Sequence, residues 1–225
     1  MKARKIIILY AILMALIING CAPAYVPNVV NTPLLSNKGE FQAAIYTGSS
    51  GIDPQFAYAI TGNTGIMLNG SFTNTASSSA SYYDKHQFVE SGIGYYCKIG
   101  EIGRFETFGG YGMGKVRAEF DNFQGSAYSD ANFNRIFIHP TIGITTKIFD
   151  GSFTPRVVMV NMYQAANNSS VIFLEPVITF KIGYKYVKAV IQFGISMPYN
   201  SSDIGFNHQP FLFSLGLQGF FNKKH

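Results

Sequence analysis

The sequence predicts an all-β fold: an antiparallel up-and-down β-barrel of about ten strands, with eight as the alternative count, set behind a cleavable signal segment. Three observations predict it. Apolar and polar residues alternate with a period of two along most of the chain after residue 40, and no stretch carries a convincing helical period. The connections between these stretches are short and long in turn, the pattern of barrels whose tight turns gather at one rim and whose loops gather at the other. Charged residues are only 13% of the chain, against about 25% in an average soluble domain, while 20 Phe and 14 Tyr are present.

The first twenty residues stand apart from the fold. Lys2, Arg4 and Lys5 form a positive start, and the apolar run Ile6 to Ile18 is shorter than the ~20 residues a spanning helix needs. The run closes on Ile18-Asn19-Gly20-Cys21, which resembles the lipobox of bacterial lipoproteins, an aliphatic residue three before the cysteine and a small one just before it. The resemblance implies cleavage between Gly20 and Cys21 and acyl chains on Cys21, whose burial in membrane lipid contributes ~0.8 kcal/mol per CH₂. Ala22 follows where Asp would retain the protein at the inner membrane; by resemblance to the sorting rule of enteric-type bacteria, this implies export to the outer membrane. An ordinary signal peptide or an uncleaved anchor is the alternative. The expected organisation is thus a signal peptide over 1–20, a lipidated N-terminal tether over 21–39 and a barrel domain over 40–225.

Removing 1–20 takes away three positive charges and no acidic residue, so the formal net charge falls from +5 to +2. A nucleic-acid partner loses its main support at that step. Cys97 is left without a second cysteine, which rules out a disulfide framework and a cysteine-based zinc pattern. No cofactor motif is present.

The tether (residues 22–39) holds three prolines and no period. Fully extended it reaches about 60 Å, enough to join an anchor to either rim. Its stretch Tyr25 to Leu35 is apolar for a free linker, which leaves docking on the barrel or entry into its mouth beside a loose tether.

Ten strands follow, at 40–48, 53–61, 65–73, 87–99, 104–118, 133–148, 153–164, 171–184, 186–197 and 209–221. In 135–148, Ile136, Ile138, Pro140, Ile142, Ile144 and Ile148 share one face, and Arg135, His139, Thr141 and Lys147 share the other. The stretches 171–184, 186–197 and 209–221 repeat the pattern, and most strands exceed the ~9–11 residues needed to cross a bilayer at a tilt. Pro140 and Pro176 fall inside strands, where a bulge is expected. Short connections fall near 62–64, 100–103, 150–152 and 184–185; long ones span 74–86, 119–132, 165–170 and 198–208. An even strand count places both chain ends on the short-turn side, the periplasmic side of an outer-membrane barrel. Aromatic residues gather toward both rims, among them Tyr82, Tyr83, Phe133, Tyr163 and Tyr199 at one and Phe105, Phe149, Tyr184, Tyr186 and Phe221 at the other. Taken with the lipobox, the chain resembles small lipidated outer-membrane β-barrel proteins of Gram-negative bacteria, which implies a fold and a location but no reaction.

The expected lumen residues are Glu90, Lys98, Arg104, Glu106, Arg135, His139, Lys147, Glu175, Lys181 and Lys188. Charges of both signs in a narrow barrel must pair across the interior, because isolated buried charges are too costly. A small pore or a cationic site for an anionic solute is the competing reading. Gly109, Gly110, Gly112 and Gly114 lie in a strand with no helix after them, so strand packing suits them better than a phosphate cradle. Asp84 with His86, Asp121 with Asp130, and Asp203 with His208 fall in three long connections. A rim hydrolase resembling the barrel proteases and lipid hydrolases would draw on them, with Asp203 and His208 the pair to test, but no motif of those enzymes is present. The leading expectation is a structural or interaction protein without catalytic residues or metal, bound to membrane lipid through Cys21 and the barrel exterior. The alternative from another class is a tethered periplasmic barrel with its apolar face inward around a small apolar ligand.

Overall fold

A computed structural model describes residues 23–77, 82–122, 125–164, 168–199 and 204–222. Gly20, Cys21, Asp203 and most of the serine run Ser77 to Ser81 lie outside the described residues. Eleven strand segments follow one another: β1 (Phe41–Gly48), β2 (Gly51–Ala59), β3 (Thr64–Ser77), β4 (Tyr82–Ile99), β5 (Gly103–Asn122), β6 (Gly125–Thr145), β7 (Phe149–Gln164), β8 (Asn168–Tyr184), β9 (Val187–Ile195), β10 (Met197–Tyr199) and β11 (Phe211–Phe221). Each pairs antiparallel with its sequence neighbour, β9 and β10 share one place beside β8, and β11 pairs with both β9 and β1. The sheet therefore closes on itself as a ten-stranded barrel without a free edge.

Three expectations about the strands are corrected. The connections 74–86 and 119–132 are mostly ladder: Asn74 pairs with Lys85, and Glu119 pairs with Tyr128. Hydropathy alternation fades there because the sequence puts polar residues at both parities, so the strands outrun their signal. Pro140 and Pro176 make no bulge. The β6–β7 register runs unshifted from Ile138↔Val157 to Ile142↔Phe153, and Pro155 pairs with Pro176. The missing N–H of Pro176 instead falls where the β8 ladder passes from β9 to β10, and the register along β8 carries through. Finally, the strand expected to reach 148 ends at Thr145. Lys147 sits exposed in a turn held by Thr146, whose hydroxyl accepts from Phe149 N at 2.9 Å.

The two faces of the wall differ completely. Outward positions are apolar around the whole circumference, among them Ile45, Phe56, Leu68, Ile93, Met113, Ile138, Val157, Ile178, Phe193 and Leu215. Met113 is 61% exposed and Ile182 63%, which a water-facing surface does not sustain over a continuous band. On β4 the band runs from Val89 to Ile99. At about 3.3 Å per residue and a tilt of about 40°, that is about 25 Å, the height of the apolar belt of a membrane barrel. Its loop-side border is polar: Asn161 Nδ2 donates to Asn134 Oδ1 at 2.8 Å, Asn134 Nδ2 donates to Tyr163 Oη at 3.0 Å, and Arg117 pairs with Asp130 at 2.7 Å. This is the inverse of a soluble barrel around an apolar ligand, and that alternative is corrected. Inside, Phe88, Val116, Phe133, Val158, Val160, Met162 and Phe173 form a buried apolar layer toward the loop end. Phe133, expected at the outer rim, belongs to that layer. Below it the lining is charged and amide-bearing.

Candidate functional site

The lumen is occupied by the protein's own N-terminal segment. Residues 24–36 run through it, and all but the half-buried Val26 are buried. At the loop end, Ala24 N and Tyr25 N both donate to Asn207 O at 2.9 and 3.1 Å, and Gln209 N donates to Tyr25 O at 2.9 Å. At the short-turn end, Gly39 N donates to Ala59 O at 2.8 Å, and the chain enters β1. Of the two alternatives for the tether, the structure has it inside the barrel.

A buried segment with no sheet neighbour along most of its length must find partners for its backbone elsewhere. The wall side chains provide them. Gln192 grips Val30 on both sides, accepting from its N–H at 3.1 Å and donating to its carbonyl at 2.7 Å. Gln55 donates to Val29 O at 2.7 Å, Lys181 to Thr32 O at 2.5 Å, and Arg156 to Asn28 O at 3.0 Å. Glu106 accepts from Leu35 N at 3.3 Å. The three prolines, Pro23, Pro27 and Pro33, bring no N–H that needs a partner. Gly65 leaves room for the segment: a Cβ there would stand 2.6 Å from Leu35 Cδ1.

Two ion pairs line the lumen wall, Arg156 and Glu175 being register partners on β7 and β8. Arg135 meets Glu90 at 2.5 Å and Arg156 meets Glu175 at 2.6 Å, each group nearly excluded from solvent. Asn28 lies between them, accepting from Arg135 Nη2 at 2.5 Å and Arg156 Nη1 at 2.9 Å through one side-chain oxygen. Tyr25 Oη donates to Glu175 at 2.9 Å, as does Ser196 Oγ at 2.8 Å. Arg135 also stacks on the Phe88 ring at 4.2 Å. Every guanidinium and carboxylate in this layer therefore has several partners, as buried charges require.

The other expected lumen residues are placed as follows. Arg104 is buried and donates to Ser36 Oγ at 2.9 Å; Lys188 pairs with Asp150 at 2.7 Å. His139 is buried against Phe137 and Phe108, with ring centroids 5.3 and 5.8 Å away. Lys98, expected inside, is exposed at the short-turn rim, where it donates to Asn37 at 3.3 Å. Arg156, Asp150, Asp53 and Glu40 are buried lumen residues that the pattern did not single out. Arg156 was hidden because Val158, Val160 and Met162 share its inward face, so that β7 reads as apolar on both sides.

Among the described residues, the rim candidates do not assemble into a catalytic group; Asp203 lies outside them. His86 contacts Asp84 at 2.5 Å and the Pro23 carbonyl at 3.2 Å, so it holds the entering segment. His208 bridges to Tyr25 and packs on Phe173 at 5.3 Å. Burial pushes its imidazole below the ordinary range. Asp130 faces outward against Arg117. Among the described residues, no group of three or more His, Cys, Asp or Glu side chains is placed to hold a metal ion. Phe137, Phe88 and Phe133 lie over Gly110, Gly112 and Gly114, with ring carbons 2.5 to 2.6 Å from where a Cβ would stand. These glycines seat aromatic rings.

No family model matches the chain, and no curated protein does. Among solved structures it is similar to the beta domain of the Bordetella autotransporter Brka, at 9% identity over 82% of this chain and 99% of that one, with a TM-score of 0.43.

Proposed function

We propose that the chain is an outer-membrane β-barrel of structural or interaction type, tied to lipid by its exterior and by acyl chains on Cys21, and sealed by its own N-terminal segment. One observation carries this reading: the apolar belt faces outward all round, while Glu90, Arg135, Arg156, Glu175 and Lys181 are engaged with one another and with residues 24–36. A pore needs a continuous wet path, and a solute site needs polar groups free to bind. Here Gln192, Gln55, Lys181 and Arg156 are already engaged with the segment's backbone.

Planar-bilayer recording on the purified, heat-modifiable protein tests the reading. A sealed barrel inserts without giving steady conductance steps. Steady ohmic steps from the unaltered protein would show an open channel and overturn it.

A further inference from the structure

The described ends of the chain lie at opposite mouths of the barrel. Asn222 is at the short-turn end, where its Nδ2 donates to Gly39 O at 3.4 Å. Pro23 is at the loop end, where its carbonyl meets His86 Nε2 at 3.2 Å and the next two residues pair with the connection before β11. Counting strands alone puts both ends at one mouth, because ten is even. The segment through the lumen adds one more crossing and brings Pro23 to the loop end, away from the short-turn side expected for both ends. Thirteen residues, 24–36, reach about 40 Å when extended, enough to pass the ~25 Å belt once.

We infer that the barrel delivers its own amino end to the loop face, so that Cys21 and the acyl chains expected on it lie at the outer surface of the membrane. Two peptide links join Cys21 to Pro23, so their Cα atoms are at most about 8 Å apart. That is far too little to return across the belt. The anchor therefore enters the leaflet that faces outward, and the barrel displays a lipidated end to the exterior. A diacylated end cannot be drawn through a lumen this full, so the strands close around the segment during assembly. The grips fit that order, since they come from walls far apart in sequence: Gln55 on β2, Arg156 on β7, Lys181 on β8 and Gln192 on β9.

The inference rests on the outer-membrane reading, and the experiment separates the two. One epitope is inserted between Ala22 and Pro23 of the full chain, a second between Ser79 and Ala80 in the β3–β4 connection, and a third after His225. Each tagged protein is first required to keep its gel shift on boiling, and antibody is then applied to intact and to permeabilised cells. Labelling of the first two tags on intact cells, with the third silent until permeabilisation, is the expected result. If the Ser79 tag is labelled on intact cells and the Pro23 tag is not, the amino end is periplasmic. The inference then fails while the outer-membrane reading stands. If neither is labelled and carbonate releases the protein, both fall. Should the first tag block assembly, Ala22→Cys in a Cys97→Ser background, probed with an impermeant maleimide, gives the same readout: modification on intact cells supports the inference and its absence there overturns it.

Discussion

Arg156 holds residue 28 twice: Nη1 donates to the Asn28 side-chain oxygen at 2.9 Å, and Nη2 donates to its backbone carbonyl at 3.0 Å. This one contact joins the wall of the barrel to the segment inside it. The same guanidinium is paired with Glu175, so losing Asn28 disturbs a buried charge layer as well as the segment.

Asn28→Leu keeps the branched outline and removes the shared acceptor of Arg135 and Arg156. Each guanidinium then loses a partner, at about 1–3 kcal/mol apiece. The temperature at which the compact band converts to the unfolded one on a gel should fall clearly. Asn28→Asp keeps an acceptor between two cations but loses the Nδ2 donation to Glu90 at 3.3 Å, so its conversion temperature should fall less than that of Asn28→Leu. Equal behaviour of the two variants would contradict this role for the side chain.

Arg156→Met strands the buried Glu175 carboxylate, at about 3–5 kcal/mol. Combining it with Glu175→Gln removes the orphaned charge, while the new amide oxygen still accepts from Tyr25 and Ser196. The double variant is expected to recover part of the loss. Additive losses would mean that the two residues act independently.

Tyr25 and His208 form a parallel bridge between the segment and the loop before β11. Neighbouring strands lie about 5 Å apart, within disulfide reach. Tyr25→Cys with His208→Cys, in a Cys97→Ser background, should oxidise in an oxidising compartment, so that thiol-specific mass-tagging after denaturation finds both thiols blocked until reductant is added. Free thiols in the folded double variant would mean that the segment is not in the lumen.

Ile178 faces outward in the apolar belt, 44% exposed. Ile178→Lys should cost about 2–4 kcal/mol if that face meets lipid at mid-depth, seen as a smaller heat-modifiable fraction in membranes. Gln87→Lys, on the polar border near Lys85 and Lys115, should leave that fraction unchanged. A harmless Ile178→Lys would place water, not lipid, on that face.

How far the structure was legible in the sequence follows the solvent on each face. Ile136 to Ile144 and Phe211 to Leu217 gave away their strands because lipid outside and polar groups inside make the alternation two-valued. Asn74 to Lys85 did not, because its sequence puts polar residues at both parities. Glu90, Arg135 and Glu175 were readable as lumen residues from parity alone, and Lys98 and Lys147 misled for the same reason, since parity does not say where a strand ends. Arg156 was masked by its apolar inward neighbours. The passage of residues 24–36 through the lumen carries no period at all. Its only signals are two prolines beside Val29-Val30 and Leu34-Leu35, a composition too apolar for a tether and too poor in N–H groups for a sheet strand.

The most direct measurement of the central claim is the electrophoretic mobility of the protein from isolated outer membranes, run unheated and boiled on a denaturing gel. A closed barrel with a filled lumen and a lipid-facing belt should resist the detergent, migrate as a compact band unheated and shift on boiling, with no release from the membrane by carbonate. Identical mobility in both lanes, with the protein freed once its anchor is cut, would contradict the membrane-spanning barrel.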